Sequence, residues 1–280
     1  MGRKVMSTLV VLAVLAAPLS AELKVTQRMS VTKVAGAPPA EGLLAGMGDM
    51  MGAVMDQLFG GAEGVESVVY MHEDGRTRTE YARGFAGMPA GSVVLTKADG
   101  TSVGFDAKAG TWWKMSDPAA GGDPMMAEML AQMKPTVTMT KSGRKEEIAG
   151  LSAEHATMTV RMPIPLPAGV DLSQLPPELS AMIPKEIVVE GDTWITPQHA
   201  KYTKAVAASM SLGPLSQFGL DDMAATVNGL VLKQTMRISM MAGFQMEQLV
   251  LKVSEEATPA GAFDLPTGLK EIPMPTPQIR

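Results

Sequence analysis

The sequence predicts an α+β protein: a large, curved, mainly antiparallel β-sheet, an incomplete barrel, with amphipathic helices covering its concave face. Three observations predict it. Apolar and polar residues alternate along many short stretches, the period of a half-buried strand. Many of these stretches are separated by tight turns containing glycine, and connections so short permit only antiparallel neighbours. Two methionine-rich segments instead repeat with the period of a helix.

The first strand is the clearest. Leu23, Val25, Gln27, Met29 and Val31 face one way, and Lys24, Thr26, Arg28, Ser30 and Thr32 the other. Further strands are predicted at 65–72, 76–83, 92–97, 102–107, 111–116, 136–141, 144–148, 151–162, 186–190, 193–196, 230–240 and 244–255. The turns between them are placed at Asp74 and Gly75, Asp99 and Gly100, Ala109 and Gly110, Ser142 and Gly143, Ala149 and Gly150, and Gly191 and Asp192.

An antiparallel sheet of this size leaves an apolar side wet unless other elements cover it. Helices are predicted for that task. Over 47–59, Met47, Met50, Met51, Val54, Met55, Leu58 and Phe59 fall on one stripe. A second helix starts with Asp123 as N-cap and Pro124 in the first turn, and Met125, Met126, Met129, Leu130 and Met133 line one side. Thr196 and Pro197 repeat that opening, and a fourth helix runs from about Leu172 to Met182 within a proline-rich segment. One domain is predicted over 22–272, with 273–280 as a disordered tail.

The leading residues carry Arg3 and Lys4, then an apolar run from Leu9 to Ala17, then small residues to Ala21. These are the zones of a secretory signal, so residues 1–21 are expected to be removed. The mature protein is expected in the periplasm or another extracytoplasmic compartment, with no stable membrane anchor. No cysteine is present, which excludes disulfides, thiol nucleophiles and cysteine metal sites. The formal charge of −5 offers nucleic acid no basic face, so no nucleic-acid partner is expected. Lys141, Arg144 and Lys145 cluster, but Glu146 and Glu147 follow them, and the group reads as a solvated hairpin tip.

Markers of reaction chemistry are missing. No Gly-x-Ser-x-Gly elbow occurs, and Gly46, Gly48 and Gly52 are wrongly spaced for a dinucleotide loop. His72 and Glu73 begin a zinc-peptidase pattern that ends on Arg76. His155 and His199 are isolated in sequence and read as packing or solvent contacts. Thioether clusters are soft enough for Cu(I), yet no His or Cys accompanies them. The chain therefore reads as a non-enzyme with no catalytic residue, metal or cofactor assigned.

Methionine is the compositional signal, at 25 of 280 residues. Unbranched, polarizable side chains repack around guests of different shape, so a Met-lined groove suits varied apolar ligands. The plain alternative is a core that uses Met where other proteins use Leu. The groove candidates are Met47, Met50, Met51, Met55, Met125, Met126, Met129 and Met133, with Trp194 as a packing anchor. Trp112 and Trp113, adjacent in a strand, must face opposite ways, one as a core anchor and one as an exposed platform.

Three stretches read together carry a resemblance: Lys145–Leu151 (KEEIAGL), Gly191–Pro197 (GDTWITP) and Phe263–Ile272 (FDLPTGLKEI), with Gly229–Lys233 (GLVLK) as a strand opening. They resemble the DUF4412 family of exported bacterial proteins, whose members look like the outer-membrane lipoprotein carrier fold of LolA, LolB and LppX. Members often carry a Cys after the Ile-Ala-Gly turn; here that stretch reads Leu151, Ser152, Ala153, Glu154 and His155. The resemblance implies an incomplete barrel wrapped around helices. It also implies a groove for lipid, a lipoprotein acyl chain or another hydrophobic partner. The alternative function is an envelope module for structure or protein interaction, with a filled interior and no ligand.

Overall fold

The structure is a computed structural model, and it describes residues 21–34, 61–85, 87–115, 135–163, 186–210, 228–239, 243–259 and 261–275. Among them, twelve strands form a single open sheet. They are β1 (Ala21–Lys33), β2 (Val65–Met71), β3 (Thr77–Tyr81), β4 (Val93–Thr96), β5 (Ser102–Asp106), β6 (Thr111–Lys114), β7 (Thr136–Ile148), β8 (Leu151–Pro163), β9 (Glu186–Thr196), β10 (Leu230–Ile238), β11 (Phe244–Ala257) and β12 (Lys270–Glu271). Their spatial order is β12-β6-β5-β4-β3-β2-β1-β11-β10-β9-β8-β7.

That order is two meanders joined at a seam. β1 to β6 pair in sequence and β7 to β11 do the same; short turns join β2 to β3, β4 to β5, β5 to β6, β7 to β8 and β10 to β11, whereas β1–β2, β8–β9 and β9–β10 are joined by long segments. The seam is long-range: β1 pairs antiparallel with β11 from Ala21 opposite Ala257 to Lys33 opposite Phe244. All pairs are antiparallel except β12 on β6. The other edge, β7, exposes Lys141, Lys145, Glu146 and Glu147, and such charges discourage a further strand from adding there.

Two predicted turns are strand interior instead. β7 runs through Ser142 and Gly143 as a bulge. Lys141 stands opposite Ala156 and Lys145 opposite Glu154, which leaves residues 142–144 across from His155 alone. Gly143 supplies the positive φ of 74° that the bulge requires. The basic cluster is therefore on an edge strand and not at a hairpin tip. β9 likewise runs through Gly191 and Asp192, with Gly191 opposite both Met158 and Met236. This glycine marks a close approach of backbones, since a Cβ on it would run into the carbonyl of Thr235.

Among the described residues the one α-helix is α1 (Thr203–Met210), entered through a 3-10 turn at Ala200–Tyr202. The helix opening expected at Thr196 and Pro197 is displaced toward the C-terminus. Thr196 still belongs to β9, and His199 has a left-handed backbone with φ 66°, which breaks any continuous helix before residue 200. The displacement carries Tyr202, Ala205 and Val206 into a core with Leu23, Val69, Leu230 and Val250. The helices predicted over 47–59, from Asp123, and over about 172–182 lie outside the described residues, so cover of the concave face by them is not part of the described structure.

The closing motif is a strap across the first meander. Arg78 donates to the Ala262 carbonyl at 3.0 Å, and Phe263 packs on His72 and under the Arg76 guanidinium. Leu265 and Leu269 press on Val93, Leu95 and Phe105. Lys270 and Glu271 then seal the edge of β6 as β12. Trp113 is fully buried, as one of the adjacent pair must be. Trp112 is half-buried against the Val93, Leu95 and Phe105 cluster and is not the exposed platform expected.

Candidate functional site

Cross-strand register builds one surface from residues far apart in sequence. Directly opposed residues of antiparallel strands share a face. Met139 opposes Met158, Met158 opposes Gly191, Gly191 opposes Met236, Met236 opposes Met246, and Met246 opposes Val31. A thioether row thus crosses the second meander and reaches Val31 at the seam, interrupted at Gly191, where the Thr235 carbonyl takes the place of a side chain. Beside it runs an aliphatic row, Val137, Val160, Val189 and Ile238. Met162 and Ile187 extend the same patch. Met158, Met236 and Met246 are buried, as are Val160 and Val189.

On its other side the thioether row meets a mixed row, Ala156 followed by the polar Thr193, Gln234 and Gln248. Gln248 donates to the side chain of Gln27 at 2.8 Å. Thr193 is 1% exposed, and its hydroxyl has no hydrogen-bond partner. An unpaired buried hydroxyl costs about 1–3 kcal/mol in comparable settings. It stands apart from Gln248 in the same row, which is paired.

Trp194 lies on the opposite face of the sheet, since it alternates with Thr193 along β9. It opposes His155 on one side and Lys233 on the other. Its ring stands 4.7 Å from the imidazole and lies 4.7 Å beneath the Lys233 ammonium. His155 itself, buried to 1% exposure, is the hub of a polar cluster. Its Nε2–H donates to Asp192 at 2.8 Å, and Ser142 Oγ donates to Nδ1 at 2.7 Å. A carboxylate accepts only, which fixes the proton on Nε2. The Arg144 guanidinium stands within 2.9 Å of both ring nitrogens. The cluster fastens the β7 bulge to β8 and β9, using the residues that the bulge displaces from the ladder. Nothing in the spacing of Ser142, Arg144, His155 and Asp192 announces it, because the register that joins them comes from three strands.

Of the predicted groove residues, Trp194 alone falls among the described residues. Met47, Met50, Met51, Met55, Met125, Met126, Met129 and Met133 lie outside them. Sequence reasoning missed Met139 and Met158 as surface-forming partners, and it missed Thr193. Their signal is only strand alternation, and their convergence needs the pairing order. Among the described residues, no three His, Asp or Glu side chains come together to hold a metal ion. Among the same residues, no helix is long and apolar enough to cross a membrane, a statement that leaves strands aside.

Fold and surface together define a class: an open, mostly antiparallel β-sheet with a Met- and Val-lined face bordered by buried polar groups. Among solved structures, the chain is similar to a LolA superfamily protein from Nitrosomonas europaea, at 9% identity and a TM-score of 0.31, covering 89% of this chain and 92% of that one. It is also similar to a domain described as outer membrane lipoprotein-sorting from Vibrio parahaemolyticus, at 8% identity and a TM-score of 0.29, covering 87% and 89%. No family model matches the chain, DUF4412 included, and no curated protein matches it. The fold described above rests on strand register, to which likenesses at these scores add nothing.

Proposed function

We propose that the protein binds an apolar ligand, such as a lipid or the acyl chain of a lipidated protein, on the thioether face of its second meander. The site of action is the cell envelope, after removal of residues 1–21. The observation that carries this reading is the continuous register of Met139, Met158, Met236 and Met246 across the second meander, with Gly191 between Met158 and Met236. Flexible thioethers suit a surface that must yield to guests of different shape, whereas a static core is better specified by branched residues. The Met stripes predicted over 47–59 and from Asp123 supply matching cover in the same reading, with Met50, Met55, Met126 and Met129 as its contact residues.

The test is direct. Protein purified under native conditions is extracted and its lipid content read by mass spectrometry, and delipidated protein is titrated with a fluorescent acyl probe. Saturable binding, weakened when Met158 and Met236 are both changed to Leu, supports the reading; no copurifying lipid and no probe binding removes it. One observation favours a second reading, an interaction module with a filled interior: Met158, Met236 and Met246 are already buried. That module would bind no probe and would retain a melting temperature indifferent to lipid.

A further inference from the structure

Asn228 is the single asparagine of the chain, and Gly229 follows it. The pair leads into β10, whose ladders begin beyond both residues, at Leu230 opposite Thr196 on β9 and at Lys233 opposite Leu249 on β11. Asn228 is exposed, and among the described residues no hydrogen bond holds its carboxamide or the Gly229 N–H. A backbone nitrogen one residue past a free carboxamide is placed to close a five-membered ring on it, and glycine leaves that nitrogen unshielded by a Cβ.

The fold also requires the glycine. Gly229 is buried with φ 140°, and a Cβ on it would run into the Thr196 carbonyl. A residue bulky enough to slow ring closure is therefore excluded at 229, and the reactivity rests on Asn228 alone.

We propose that Asn228 is a site of spontaneous deamidation through a succinimide. The Gly229 nitrogen attacks the side-chain Cγ, a C–N bond forms there, and the side-chain nitrogen leaves with the displaced proton as ammonia. Water then opens the ring at either carbonyl. Opening at Cγ leaves an ordinary aspartate. Opening at the α-carbonyl leaves isoaspartate, in which the main chain runs through the side chain and is one methylene longer. The chain and water supply every atom, with no change of oxidation state. Both products add a negative charge to a chain whose formal charge is already −5. Only isoaspartate shifts Gly229 from its seat on Thr196, so it alone loosens the start of the β9 to β10 pairing. The reaction needs no ligand and is independent of the binding function proposed above.

The full chain tests it. Protein is incubated at mildly alkaline pH and digested at acidic pH, and the peptides spanning residue 228 are separated and weighed by mass spectrometry beside an unincubated control. Steady loss of the Asn form is expected, with two new peaks of equal mass, aspartate and isoaspartate. Asn228→Gln, which would have to close a less favoured six-membered ring, is expected to stay unconverted. Freshly prepared Asn228→Asp supplies the charge without the longer backbone, and its melting temperature is expected to match that of unincubated protein while the isoaspartate fraction melts lower. An unchanged Asn peptide from the folded protein, alongside conversion of the chain in urea, overturns the proposal by showing that the entry to β10 shields the site. Equal melting temperatures for the isoaspartate fraction and Asn228→Asp overturn the loosening of β9 from β10.

Discussion

Trp113 lies against Gly104, its directly opposed partner across β5 and β6, so closely that a Cβ on the glycine would fall inside the indole ring. The tryptophan is fully buried and fills the space a side chain would take. Gly104→Ala is expected to destabilise the protein by about 1–3 kcal/mol, the usual cost of overpacking. The melting temperature should fall by roughly 2–10 °C. Combining it with Trp113→Leu should recover part of the loss, and a double-mutant cycle that shows no coupling would contradict the contact.

Gly191 presents a harder obstacle, because what a Cβ would meet there is the backbone carbonyl of Thr235 and not a movable side chain. Gly191→Ala is expected to cost at least about 2–3 kcal/mol. Urea titration should show a lower midpoint with an unchanged slope. Acyl-probe binding should weaken as well, since β9 and β10 must separate where the row crosses them.

The strap makes a prediction about association. Deleting the chain from Pro259 onward uncovers Val93, Leu95 and Phe105 and leaves β6 as a bare edge. A paired edge made free is a template for another chain. Light scattering is expected to report species larger than those of the full chain. Leu265→Asp with Leu269→Asp should give a milder form of the same behaviour, and an unaltered size distribution would contradict the sealing role.

Tyr81 stacks on Phe85 at 5.0 Å, within the cluster of Val31, Val65 and Met88. Crowding by this cluster penalises the phenolate and pushes the phenol up to about 12 from its ordinary 10.0. The folded protein then holds this proton more tightly than the unfolded chain does. The associated stability is complete below pH 10.0 and is lost as pH rises toward about 12. Tyrosinate absorbance should show Tyr81 among the last of the three tyrosines to ionise. Tyr81→Phe should flatten the alkaline decline in melting temperature.

Much of the fold was legible because most strands carry their own period. Leu23 to Val31 alternates with only Gln27 out of pattern, and the pairs Asp74 with Gly75 and Asp99 with Gly100 sit at real turns. Gly143 and Gly191 misled for one reason: glycine inside a strand has the same letter as glycine in a turn. What distinguishes them is the partner strand, a bulge across from His155 in one case and the Thr235 carbonyl in the other. The two residues of β12 are too few to show any period. The site was less legible than the fold. Methionine abundance pointed to thioether surfaces, but the row from Met139 to Met246 exists only once β7 to β11 are in register. Trp194 is held between His155 and Lys233, on the face away from that row.

The seam between β1 and β11 has a kinetic consequence. Lys24 and Glu256 meet across it at 3.0 Å although 232 positions separate them along the chain. Closing so long a loop is slow, and the contact has no substitute nearer in sequence. A chain made from its N-terminus can close this seam only when nearly all of it has been made. The border between the two meanders is therefore expected to be the last pairing to form, the oldest strand zipping to one of the youngest.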